Sequence, residues 1–92
     1  MQDAFGIAAF RSRQQVLKLE SALRRDGLQV SVITTPREVA LGCGLSVRFR
    51  VEDADAVLRA IKNQHPTNLV GVYMVETSYG RKSKLIPMAL YR

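Results

Sequence analysis

The chain has one cysteine and one histidine in 92 residues. A single cysteine cannot form an internal disulfide, and a reducing cytoplasm is its predicted location. One Cys and one His fall short of the four ligands that close a structural zinc site. No apolar run approaches the roughly 18–20 residues that cross a membrane, so no membrane association is predicted. The opening Met1-Gln2-Asp3 lacks a basic segment followed by a long apolar core, which predicts no secretory signal. Phosphate-loop spacing, with its Lys and Ser/Thr, is missing too. No Ser-His-Asp set can be assigned, and nothing calls for a cofactor or a metal.

What is present fits one modest globular core: 47% hydrophobic residues and 24% charged ones. The net charge of +6 is uneven. Arg81, Lys82, Lys84 and Arg92 fall in the last twelve residues with no acid among them, while the rest is nearly balanced. The expected organisation is a domain over residues 1–76 and a basic tail over 77–92. The tail is open between docking on the body and disorder. A basic tail can touch nucleic acid or an acidic partner, or be a solvated end. Its apolar stretch Leu85–Tyr91 could also pair two copies of the chain.

In chain order, Phe5, Ile7 and Ala9 alternate with small residues and predict a strand ending at Phe10. Ser12 and Gln15 form a capping box. Val16, Leu19 and Leu23 then make one apolar helical stripe, stopped at Asp26-Gly27. Leu28, Val30 and Val32 predict a half-buried strand running to Thr34. Thr35-Pro36-Arg37-Glu38 reads as a second capping box with proline at the first helical position, giving one short turn. Leu45, Val47, Phe49 and Val51 alternate with Ser46, Arg48 and Arg50. This predicts a strand with a solvated polar face. Asp53 and Asp55 suit a helix start, Val57, Leu58 and Ile61 give its apolar face, and Pro66 ends it after His65. Leu69 to Val75 predict a last strand. The order is that of a ferredoxin-like βαββαβ sandwich, an α+β fold with two helices on one face of a four-stranded antiparallel sheet.

The link between the second and third strands, Pro36 to Gly44, is longer than a tight hairpin needs, and such loops often carry function. It holds Cys43 between Gly42 and Gly44. The glycines remove bulk beside the sulfur and allow backbone N–H groups to face an anion. Arg37, upstream in the same loop, which could fold back, is the candidate local cation. A thiol assisted in this way is a nucleophile. The other reading is a small buried hydrophobe, since free cysteine is among the most buried residue types.

Pro36-Arg37-Glu38, then Cys43-Gly44-Leu45, Arg48-Phe49 and a closing Gly71-Val72-Tyr73 resemble the selenium/sulfur carrier protein-like family, small and mostly bacterial domains. The resemblance spans about residues 5–75. It implies that Cys43 carries the sulfur or selenium atom, with Gly44 beside it and Pro36, Arg37 and Glu38 shaping the loop. It further implies a sulfurtransferase or cysteine-desulfurase-type donor and an acceptor protein. The chain departs from the family where Ala40-Leu41-Gly42 replace serines common before the cysteine. Two expectations follow. One is a carrier whose single cysteine holds a persulfide or selenenylsulfide; whether it turns over as an enzyme is open. The other is a non-catalytic interaction or regulatory module, because ferredoxin-like sheets serve many roles.

Overall fold

Two apolar periodicities dictate the architecture: alternation in the strands and a 3.6-residue stripe in the helices. The computed structural model describes residues 2–37, 39, 42–78 and 84–87. The elements are β1 (Gln2–Phe10), α1 (Arg13–Arg25), β2 (Val30–Thr34), β3 (Leu45–Phe49), α2 (Ala54–Gln64), β4 (Leu69–Ser78) and β5 (Lys84–Pro87). One turn of 3-10 helix, Val51–Asp53, leads into α2. The sheet order is β2-β3-β1-β4-β5, with every neighbouring pair antiparallel. The first four strands and two helices form the predicted ferredoxin-like α+β plan. The strand β5 extends it, pairing Leu85 with Val75 and Pro87 with Tyr73.

Ser12 caps α1 by accepting from the Gln15 N–H at 3.4 Å. Val16, Leu19 and Leu23 then fall on the buried side, and Val57 and Ile61 do the same on α2. These side chains share one core with Ala8 and Phe10 of β1, Val47 and Phe49 of β3 and Val72 of β4. Gly6 and Phe49 are opposite one another in register. The Phe49 ring occupies the space where a Gly6 Cβ would stand. A glycine in the strand thus receives a neighbour's aromatic ring, and burial replaces what the missing side chain would contribute. At the far end of α2, His65 adopts a left-handed conformation with φ 47° and closes the helix ahead of Pro66.

The opposite face of the sheet also carries buried apolar residues. Ile7, Ala9 and Val75 cluster there with Val39 from the β2–β3 loop. The polar face expected of β3 is exposed at Arg48 and Arg50, and only Ser46 departs from that expectation. Ser46 lies on that side and is 0% exposed. Its hydroxyl is 2.7 Å from the Thr35 hydroxyl, which satisfies a polar group that would otherwise be costly to bury. The Thr35 hydroxyl therefore bonds across the sheet, a task the capping-box reading did not contain. The turn that follows is closed by the Val39 N–H donating to the Pro36 carbonyl at 3.0 Å, and Glu38 lies outside the described residues. Leu28, expected in β2, stands before it and packs against the core.

Candidate functional site

The β2–β3 loop wraps round one end of the sheet. Val39 is buried on the open face, whereas Cys43 packs against the helix-side core. Three backbone hydrogen bonds hold this path. The Val39 N–H closes the turn at Pro36, the Thr35 N–H donates to Gly44 O at 2.9 Å, and the Cys43 N–H donates to Phe10 O at 2.9 Å. The last bond ties the loop to the C-terminal end of β1.

Both glycines beside Cys43 have positive φ, 118° at Gly42 and 89° at Gly44. They do different work. A Cβ on Gly42 would stand 2.9 Å from Phe10 O, so this glycine lets the loop press against the β1 backbone. A Cβ on Gly44 would meet nothing within 4 Å, so only its backbone conformation calls for glycine.

Cys43 is a half-buried free thiol. Its Sγ lies 3.7 Å from Leu45 O, the length of a weak S–H···O contact. Because the Cys43 N–H is committed to Phe10, it is not available as part of an anion-binding nest. Arg37 is exposed in the turn. Among the described residues, no hydrogen bond or ion pair joins it to Cys43. Pro36 supplies the carbonyl of the turn. One group was not singled out by sequence: Asn68, whose side-chain oxygen is buried without a partner among the described residues, as is that of Gln15, so the Ser12–Gln15 capping box shows only its Ser12 half. Asn68 is tied by its carbonyl to the Arg11 N–H at 2.8 Å, at the same end of β1 as Cys43. Asn68 belongs to no motif that would mark it in advance.

At the other end of β1 the surface is charged. A cleft of about 650 Å³ is lined by residues that include Phe5, Arg24, Val30, Arg48, Arg50 and Glu52. Arg50 pairs with Glu52 through both Nε, at 3.1 Å, and Nη2. The hydrogen bond from Arg50 holds the Glu52 carboxyl below the usual carboxylate range, and the same contact raises Arg50. The cleft is reached from Phe5 and the sulfur from Phe10, roughly 17 Å apart along the strand.

An α+β sheet with helices on one face and a single thiol where a glycine-flanked loop meets the end of β1 defines a ferredoxin-like domain with one candidate reactive atom. Residues 5–72, about three quarters of the chain, match the family described as putative Se/S carrier protein-like, and the chain belongs to that family. Comparison with curated proteins and with solved structures gave no match. Among the described residues, no helix is long and apolar enough to cross a membrane.

Proposed function

We propose that this protein carries a sulfur or selenium atom on Cys43 between a donor and an acceptor protein. The reading rests on one observation above the rest. The only cysteine stands in a loop fixed by backbone hydrogen bonds and two positive-φ glycines, inside the span that matches the family.

The chemistry is thiol exchange at sulfur. The Cys43 thiolate attacks the outer sulfur of a donor persulfide. A new S–S bond forms at Cys43, the donor's S–S bond breaks, and the donor leaves as a thiolate, with no net oxidation. An acceptor nucleophile then takes the terminal sulfur and Cys43 leaves as thiolate. With selenium the carried atom is bound through S–Se, and the steps are the same. Loading replaces the S–H that faces Leu45 O, so the sulfur must turn away from that carbonyl. The donor is a protein of sulfurtransferase or cysteine-desulfurase type and the acceptor a second protein, both acting in the cytoplasm.

Alkylation of the folded protein tests whether the thiol is accessible. Cys43 should react with iodoacetamide under native conditions at least as fast as a cysteine in an unstructured peptide. A rate limited by global unfolding, identical for reagents of different intrinsic reactivity, would make Cys43 a core residue and end the carrier reading.

A second reading is favoured by the sheet order. The strand β2 is an edge, with no strand beyond it among the described residues. Such an edge can pair with another chain, including a second copy of this one. A module working in this way would keep its partner when Cys43 is replaced by serine.

A further inference from the structure

We propose that the arginine cleft at the β1 N-terminal end is a binding site for a small molecule bearing a phosphate group. The site is separate from Cys43 and does not depend on the carrier reading.

The three arginines come from two distant parts of the sequence. Arg24 is in the last turn of α1, while Arg48 is on β3 and Arg50 follows directly after it. The fold brings all three to one concavity. Arg48 and Arg50 are two residues apart in extended chain, so their side chains leave the same face with Cα atoms roughly 7 Å apart. The Arg48 guanidinium carbon lies 4.2 Å from the centre of the Phe5 ring. Stacking orients the guanidinium and leaves its N–H edge free to meet an anion. Among the described residues Arg48 makes no ion pair, whereas Arg24 pairs with Glu20 and Arg50 with Glu52. Arg24 also donates to Val30 O at 3.3 Å, which holds its head group over the start of β2.

This charge pattern selects among anions. The Arg50 side chain already has a carboxylate, Glu52, so a ligand with a single carboxylate would only replace like with like. A dianionic phosphate adds charge and oxygens enough to engage Arg48 and Arg50 together, and Arg forks suit its geometry. Glu52 is 63% exposed and can swing into solvent when it is displaced. The volume is in the range of small-molecule sites, and Phe5, Leu28 and Val30 give the non-phosphate part an apolar wall. Glu20 and Glu52 keep the empty site near balance, which favours a compact dianion over a polyanion.

Titration of the full chain with inorganic phosphate and with a phosphate monoester, phenyl phosphate, followed by amide NMR, tests the proposal. Saturable shifts are expected at residues 29–31 and 48–50, with Kd raised about tenfold or more in Arg48→Gln/Arg50→Gln. Arg48→Lys, which keeps the charge and loses the fork, should fall between the two. The dispersion of each variant's spectrum reports its folding. Glu52→Gln, which frees Arg50, should tighten binding. Absence of saturable shifts in the wild type would overturn the proposal, as would shifts unchanged in the double variant. A short single-stranded oligonucleotide is the competing arm. Oligonucleotide binding that is tighter than phenyl phosphate binding, steeply salt-dependent and centred on the basic tail would replace the small-molecule site with a nucleic-acid surface.

Discussion

The two ends of the central strand β1 are built from different materials. At the Phe10 end, order comes from the backbone: the Cys43 N–H bonds Phe10 O and the Thr35 N–H bonds Gly44 O, and two glycines take up positive φ. At the Phe5 end, order comes from long charged side chains, with Arg48 on Phe5 and Arg50 on Glu52. A backbone-built site fixes one atom, the Cys43 sulfur, and tolerates little change around it. A site built from exposed side chains adapts to a ligand and contributes little to stability. The difference suits the two proposals, a thiol presented to a donor and an acceptor at one end and a reversible anion site at the other.

The contrast can be broken by mutation, and the expected effects differ in size. Phe49→Ala removes a fully buried ring that also fills the space over Gly6. It should destabilise the fold by about 3–5 kcal/mol in denaturant titrations and loosen both ends together. Gly42→Ala should cost about 3 kcal/mol, because it combines an unfavourable φ with a Cβ forced against Phe10 O. Gly44→Ala has only the φ cost, about 1–2 kcal/mol, and should slow alkylation of Cys43 less than Gly42→Ala alters it. Equal costs at the two glycines would contradict the asymmetric packing of the loop.

The smallest effect belongs to the charged end. Arg50→Gln should leave the denaturation midpoint near the wild-type value at neutral pH, since surface ion pairs contribute little. It should nevertheless raise the Glu52 carboxyl titration measured by NMR, because the Arg50 hydrogen bond is what depresses it. The sign of the linkage follows. A carboxyl depressed in the folded state adds its increment above the unfolded value and loses it as pH falls through the folded one. The pair is exposed, so that increment is small, and a large acid-side stability loss traced to Glu52 would show that the side chain is packed more tightly than its exposure implies.

Local signals carried most of the fold. The stripe Val16, Leu19, Leu23 and the Ser12 cap define α1 without reference to anything distant. The Leu45–Phe49 alternation does the same for β3. The misreadings fall where a distant segment covers a residue. Ser46 occupies a polar position in the alternation, yet the loop bearing Val39 lies over that face and Thr35 supplies its hydrogen bond. The strand β5 is four residues with a proline, too short to have a period of its own, and it exists through pairing with β4. Cys43 was legible because its glycines and its family motif are contiguous. The arginine cleft was not, because Arg24 and Arg48 meet only after the chain has folded. Asn68 carries no pattern at all, and its buried oxygen, like that of the capping residue Gln15, emerges only from packing.

Intact mass spectrometry after incubation with a cysteine desulfurase and cysteine, and separately with selenocysteine, addresses the carrier directly. One added sulfur or selenium atom is expected on the wild type, removable by a thiol reductant and missing from Cys43→Ser. A wild-type mass that stays unchanged while the thiol remains open to alkylation, or an adduct that persists in Cys43→Ser, would contradict it.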